Sequence, residues 1–129
     1  PMVGSGQVIL LGYVDQQDIS SIYKAASLFI YISLYEGYGM PVAEAMASGV
    51  AVITSENSAM SEVSQQAAEL VNPLDVEQVM DTIKYYLQEG DARKQLAEKG
   101  QLHMQENNWK KSANDLTTLF QQLKYYNTD

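Results

Sequence analysis

Short apolar runs alternate along this chain with longer stretches in which apolar residues recur every three or four positions. A strand covered on both faces is apolar throughout, whereas a helix on a sheet is apolar along one stripe. The predicted strands are residues 8–11, 28–33, 50–54 and 69–71. The predicted helices are residues 15–27, 42–48, 60–66, 76–88, 91–106 and 110–126. This alternation predicts an α/β fold, a Rossmann-like parallel sheet with helices on both faces.

Local signals mark where several of these elements begin and end. Asp75 precedes the helix at 76–88 and is a predicted N-cap, and Gly90 is predicted to close that helix. Residues 1–7, with their Gly-Ser-Gly sequence, are interpreted as a lead or linker. The sequence therefore predicts one domain, covering residues 8–129.

The segment EGYGMPVAEAMASG, residues 36–49, has the composition of a turn between a strand and a helix. Gly37 and Gly39 let the backbone approach a ligand, Pro41 suits the first helical position, and Gly49 is a typical helix end. The first N–H groups of such a helix are unpaired and carry about half a positive charge. The turn is therefore a predicted binding site for a phosphate or a sugar hydroxyl.

Two acids flank this turn. Glu36 precedes it and Glu44 is expected in the first turn of the helix, so both carboxylates are predicted to border one crevice and to accept hydrogen bonds from sugar hydroxyls. Their separation alone indicates nothing, because Glu69 and Glu77 are equally far apart. Helix-dipole preference and a solvated loop would also explain the two acids. The surrounding glycines and proline favour the ligand site.

A second loop is expected at the same edge of the sheet. Ligands of parallel sheets bind outside the carboxyl ends of the strands. The glycine turn follows the second predicted strand, and Gly12, Tyr13 and Val14 follow the first. Both loops are therefore predicted to converge on one rim.

The composition excludes or disfavours several classes of function. The 129 residues include no cysteine, which excludes disulfides and cysteine metal sites. The net charge is −8 and no basic residue lies between Lys24 and Lys84, which disfavours nucleic acid and leaves the phosphate site without a nearby cation in sequence. His103 is interpreted as a surface residue. The sequence has neither a secretory h-region nor a membrane-length apolar run, so a cytoplasmic location is expected.

Five markers occur in a recognisable order along the chain. They are LLGYV at 10–14, Ser33 before the block EGYGMPVAEAMASGVAVITS at 36–55, SEV at 61–63, LVNPLD at 70–75, and Trp109 followed by Ala113. In this order they resemble the nucleotide-sugar-binding, C-terminal half of a retaining GT-B glycosyltransferase of family 4, among the glycosyl transferases group 1. The resemblance runs from about Val8 to Leu123.

The resemblance implies a role for each matching residue. Glu36 would be catalytic, contacting the donor sugar near its reacting carbon, and Glu44 would hold the ribose hydroxyls. The implied donor-binding residues are Gly37, Tyr38, Gly39, Met40, Pro41, Val42, Glu44, Gly12, Tyr13 and Val14. The implied substrate is a UDP- or GDP-linked sugar, with no separate cofactor and no metal.

The chain also departs from the family pattern. Complete members have an N-terminal acceptor domain and an opening donor segment with an Arg and a Lys for the diphosphate, and neither is found here. We therefore expect a donor-domain fragment or a reduced relative, truncated at its N-terminal end. It would be inactive alone and completed by an acceptor-domain segment or partner chain. Its last helix would offer an apolar face for self-association.

Two other interpretations stay open from the sequence. The first is a non-catalytic scaffold or assembly subunit of the same ancestry. The second is a receiver-like signalling domain, which the sequence disfavours because the second predicted strand ends at Ser33 rather than at an Asp.

Overall fold

The computed structural model describes residues 4–126, with the backbone alone at Ser58 and at 124–126. Residues 1–3 of the predicted lead and 127–129 of the predicted domain lie outside the described residues. The strands are β1 (Phe29–Tyr31), β2 (Val52–Ser55) and β3 (Glu69–Val71). The helices are α1 (Gln16–Ala25), α2 (Met40–Ala47), α3 (Ser58–Ser64), α4 (Val76–Gln88), α5 (Gly90–Glu106) and α6 (Trp109–Tyr126).

The three strands form a parallel sheet in the order β1-β2-β3. In this register Phe29 lies opposite Val52, and Ile53 lies opposite Glu69. Parallel neighbours need a crossover, and helices supply it on each side of β2. The predicted α/β, Rossmann-like fold is confirmed.

Successive side chains of β2 point to opposite faces of the sheet, and each face has its own part of the core. Val52 packs into a cluster built from α2 and α3 and flanked by side chains of α1. Ile53 packs on the opposite face, where Tyr86 of α4 and Leu96 of α5 cover it. Both strand residues are almost completely buried. Helices therefore cover both faces, as the continuous apolar runs predicted.

The predicted first strand is wrong. Residues 8–11 adopt no regular structure, and their side chains are between 40% and 77% exposed. Within residues 4–126, β1 pairs with β2 and forms an edge of the sheet. An apolar run favours a strand only where a neighbouring strand satisfies its backbone and a layer covers its side chains, and residues 8–11 have neither.

The other elements lie close to their predicted positions. Helix α4 and strand β3 have the predicted bounds, and the Asp75 side chain accepts a hydrogen bond of 3.0 Å from the Gln78 N–H, which confirms the predicted N-cap. Gly90 does not close α4 but begins α5, because Glu89 serves both helices as a cap. Helix α2 begins at Met40, two residues earlier than predicted.

Helix α6 lies apart from the core. Every side chain described along it is exposed. Its apolar residues form what we call the α6 stripe, which comprises Leu116, Leu119, Phe120 and Leu123. Among the described residues this face is uncovered, as expected. Although α6 is 18 residues long, no helix of the described chain is both long and apolar enough to cross a membrane.

Candidate functional site

The turn between β1 and α2 is held against the carboxyl end of β2. The backbone N–H of Ser33 donates to Oγ of Ser55 over 2.9 Å. The amide nitrogen of the Asn57 side chain donates to the carbonyl of Leu34 over 2.7 Å. These two hydrogen bonds hold the chain as it leaves β1, so the turn has a defined conformation at the carboxyl end of the sheet.

Gly39 provides the sharp entry into α2. It is the N-cap, its φ of +83° lies in the left-handed region, and a Cβ there would lie 3.2 Å from Cγ of Met60. Its carbonyl accepts the N–H of Val42 over 2.9 Å. Of the two glycines predicted to relieve backbone limits, Gly39 uses the left-handed region and Gly37 does not.

The beginning of α2 is only partly open to solvent, because its N-cap Gly39 is buried. The side chains of Tyr38 and Met40 are 52% and 41% exposed, whereas Pro41 is half-buried. Val42 is fully buried in the core, and its N–H is already bonded within the turn. Because α2 begins at Met40, Glu44 lies in the second turn of the helix and not, as predicted, in the first.

The two acids lie at opposite ends of one row of aromatic rings. The Tyr31 hydroxyl donates to Oε1 of Glu36 over 2.6 Å, and the Tyr23 hydroxyl lies 3.5 Å from Oε2 of Glu44. Between the tyrosines lies Phe29, edge-on to Tyr23 at 5.0 Å and parallel to Tyr31 at 6.2 Å between ring centroids. We call Tyr23, Phe29 and Tyr31 the aromatic row. The structure thus brings Glu36 and Glu44 to the same covered face of β1.

Both phenols of the row are perturbed by their surroundings. The hydrogen bond to Glu36, with burial, raises the pKa of Tyr31 above its ordinary value. Burial, together with the charge of Glu44, raises the pKa of Tyr23. A raised pKa keeps each hydroxyl protonated, so both remain donors at neutral and mildly alkaline pH.

Two hollows share the side chain of Glu44. The α1 hollow, of about 260 Å³, lies between α1 and α2, and the α6 hollow, of about 230 Å³, lies between α2 and the junction of α5 with α6. The walls of the α1 hollow include Gln16, Ile19, Ser20, Tyr23, Glu44 and Ser48. The walls of the α6 hollow include Tyr38, Met40, Glu44, Asn107, Trp109 and Ser112.

The structure does not bring the second predicted loop to these hollows. Gly12, Tyr13 and Val14 line neither of them, and the Tyr13 side chain is 91% exposed. Because residues 8–11 form no strand, the strand end on which the predicted convergence depended is absent, while Gln16, two residues after this loop, lines the α1 hollow. Donor binding by this loop stays a prediction.

A cation from outside the basic gap lies near the turn. Lys111 of α6 borders a third hollow, of about 310 Å³, together with Gly37 and Tyr38. Its Nζ donates to Oδ1 of Asn107 over 2.9 Å. Glu62 and Asp115 border the same hollow and offset the positive charge there. No cluster of three or more potential metal ligands occurs within residues 4–126.

Tyr23 and Tyr31 were not predicted as site residues. A signal was present in the sequence, because alternation along β1 places Phe29 and Tyr31 on one face and Tyr23 belongs to the inward stripe of α1. The contact of these hydroxyls with Glu36 and Glu44 depends on how α1 packs on the sheet, which local pattern does not define.

A parallel Rossmann-like sheet that leads through a glycine turn into an acid-bearing helix is the architecture of the C-terminal half of a GT-B glycosyltransferase. The family model described as Glycosyl transferases group 1 matches residues 4–103. The chain belongs to this family. Its membership replaces the interpretation as a receiver-like signalling domain.

Relatives with known names support the same assignment. The chain is 35% identical to the O-antigen chain mannosyltransferase B of Escherichia coli over 104 residues, which cover 81% of this chain. It is 36% identical to the O-antigen chain mannosyltransferase RfbU of Salmonella typhimurium over 86 residues, which cover 67% of this chain. The chain spans 27% of the length of the first protein and 24% of the second.

Solved structures show the same fold. Sucrose-phosphate synthase from Thermosynechococcus elongatus superimposes with a TM-score of 0.83 and 26% identity, over 97% of this chain and 33% of that protein. The C-terminal domain of a glycosyl transferase group 1 family protein from Francisella tularensis has a TM-score of 0.70 and 29% identity, over 81% of this chain and 57% of that one.

Proposed function

We propose that this domain binds a UDP- or GDP-linked sugar and is the donor domain of a retaining glycosyltransferase of family 4. The observation that carries the proposal is the placement of Glu36 and Glu44 at the two ends of the aromatic row, beside the partly exposed start of α2. Two separated acceptors next to a helix N-terminus match a ligand with hydroxyls at both ends and negative charge between them.

Each part of the donor has a corresponding part of the site. The diphosphate would lie over the start of α2, where the helix dipole favours negative charge. Glu36 would accept hydrogen bonds from the sugar, and Glu44 from the ribose. The nucleoside would lie in the α1 hollow, because Tyr23 meets Glu44 in its wall.

Transfer would break the bond between the anomeric carbon and a diphosphate oxygen, and the electron pair would leave with the diphosphate. The acceptor oxygen would bond to the carbon on the same face and release its proton to the leaving group. The dipole of α2 and the backbone N–H of Met40, its first residue, would stabilise the departing charge. The carboxylate of Glu36 would stabilise positive charge that develops on the sugar ring.

The names of the relatives suggest the sugar. Both O-antigen relatives are called mannosyltransferases, so we propose a mannosyl donor. The acceptor would be held by a separate acceptor-domain segment or partner chain, because the relatives are about four times as long as the matched region. The α6 stripe is a surface for such a partner or for a second copy of the chain. A cytoplasmic location stays a prediction.

Isothermal titration calorimetry with GDP-mannose and UDP-glucose tests the proposal. We expect the wild-type domain to bind one of them, and Glu44→Gln to weaken that binding about tenfold, as loss of a charge-assisted hydrogen bond would. Glu77→Gln is the matched control, because it makes the same change at an exposed glutamate in α4. Absence of binding to both donors, or equal effects of the two substitutions, would contradict the proposal.

A further inference from the structure

Two tyrosines that the family pattern does not assign contact the two candidate carboxylates. The bond from Tyr31 to Glu36, at 2.6 Å, is short and charge-assisted. The contact from Tyr23 to Glu44, at 3.5 Å, is at the long limit of a hydrogen bond. Each phenol therefore restricts the direction in which its carboxylate points, and the restriction is stronger at Glu36.

The position of Tyr31 is itself well defined. It is the last residue of β1, and it pairs with Thr54 of β2. Its carbonyl accepts a hydrogen bond of 2.9 Å from Oγ1 of Thr54, which is completely buried. Its ring lies parallel to Phe29, which contacts Tyr23 edge-on. The sheet and the aromatic row thus hold both hydroxyls in fixed places.

A fixed donor matters for a glutamate in a turn. A free Glu side chain has several rotatable bonds, and ordering it costs up to about 2 kcal/mol when a ligand binds. Phenylalanine would fill the space of the Tyr31 ring equally well, so the hydroxyl has a polar role at this position. Tyrosine has an ordinary pKa near 10, so this hydroxyl is a donor throughout the neutral range, and the hydrogen bond to Glu36 raises its pKa further.

We infer that Tyr31 and Tyr23 are positioning residues of the donor site. Tyr31 orients the carboxylate of Glu36 toward the sugar, and Tyr23 orients that of Glu44 toward the ribose. The inference rests on the proposed function. It adds that Tyr31 affects binding of the sugar end of the donor, whereas Tyr23 affects binding of the nucleoside end.

Binding of a nucleotide sugar and of the matching nucleoside diphosphate separates the two roles. The probes are GDP-mannose with GDP and UDP-glucose with UDP, measured by calorimetry on the whole chain. We expect Tyr31→Phe to weaken the sugar nucleotide about fivefold and to leave the nucleoside diphosphate within about twofold. We expect Tyr23→Phe to weaken both ligands by a similar factor.

Tyr85→Phe is the matched control, since it removes a phenol from α4 on the opposite face of the sheet. A purely structural role for Tyr31 would weaken both ligands equally and lower the thermal midpoint, whereas positioning affects the sugar nucleotide alone. The double variant Glu36→Gln with Tyr31→Phe should bind no more weakly than Glu36→Gln, because the phenol then has no carboxylate to orient.

The outcomes distinguish failure of this inference from failure of the proposed function. If the wild-type chain binds neither nucleotide pair, the proposed function fails and the inference fails with it. If the wild type binds and Glu36→Gln weakens the sugar nucleotide but Tyr31→Phe does not, the donor site stands and the positioning role is overturned. Additive effects in the double variant would also overturn it.

Discussion

The hydroxyl of Tyr86 in α4 donates a hydrogen bond of 2.7 Å to Oε2 of Glu69, the first residue of β3. Tyr86 is 9% exposed, and its ring packs edge-on against Tyr85 at 5.1 Å between centroids. The bond ties α4 to an edge strand of the described sheet. Tyr86 packs on the face of the sheet opposite the aromatic row, so a change to this bond should affect stability and leave the candidate site intact.

Tyr86→Phe should lower the free energy of unfolding at pH 8 by about 1 kcal/mol, because a partly buried hydrogen bond to a carboxylate is lost while the ring still fills its place. Urea unfolding followed by circular dichroism measures this. Donor binding should be unchanged. Tyr85→Phe, at a more exposed ring, should change the stability by much less, and an equal loss in both variants would contradict the assignment.

The same bond predicts a loss of stability in alkali. Burial, followed by the bond to Glu69, raises the pKa of Tyr86 above the value near 10 of an unfolded tyrosine. A raised folded pKa gives stability that is complete below about pH 10 and declines as the pH rises beyond it. The difference in stability between wild type and Tyr86→Phe should therefore be constant up to about pH 10 and shrink as the pH rises above it. A difference that stays constant or grows above that pH would contradict this prediction.

The sequence predicted best what local pattern determines. Helix α4 has its predicted bounds because an amphipathic stripe and a side-chain cap at Asp75 both act within a few residues. The apolar run at 8–11 has as strong a pattern, but whether it joins a sheet depends on a partner elsewhere, so its prediction was wrong. Apolar character indicates burial and does not identify what covers it.

In the candidate site, too, local features were predicted and contacts between distant residues were not. The glycine turn and its helix were predicted from residues 36–49, which lie next to one another in the chain. The contact of Tyr23 with Glu44 spans 21 positions and exists only because α1 packs beside α2. No spacing rule relates these two side chains, so the aromatic row was found only in the folded structure.

Gly39→Ala should lower the free energy of unfolding by about 1 to 2 kcal/mol, because a side chain is strained at φ +83° and the new Cβ would lie 3.2 Å from Cγ of Met60. Gly37→Ala is the control: a Cβ there meets no atom within 4 Å, and its φ is outside the left-handed region. Thermal unfolding of the two variants measures the contrast. Equal midpoints would show that the turn relaxes without cost.

Helix α6 should make the isolated chain associate. Four exposed apolar side chains in one stripe favour burial against a second copy, so the mass found by sedimentation velocity should rise with protein concentration. Leu119→Glu should restore the monomer, because it places a charge in the stripe. Gln121→Glu adds the same charge to the same helix beside the stripe and should have no effect. A monomer at all concentrations would contradict the proposed contact.

The two hollows that share Glu44 can be told apart by filling each of them. Ser20 and Ser112 line different hollows, and both are exposed, so a tryptophan at either position should be compatible with folding. If the nucleoside occupies the α1 hollow, Ser20→Trp should weaken binding of the nucleoside diphosphate at least about tenfold, and Ser112→Trp, which lies nearer the diphosphate at the start of α2, should weaken it several-fold less.

Calorimetry with GDP and UDP measures both variants, and circular dichroism confirms that they are folded. The reverse result, in which only Ser112→Trp weakens binding, would move the nucleoside to the α6 hollow beside Trp109. Tyr23 would then contact Glu44 from the side away from the ligand. Its hydroxyl would still orient the carboxylate, so Tyr23→Phe would continue to weaken both ligands even though the base lay on the other side of α2.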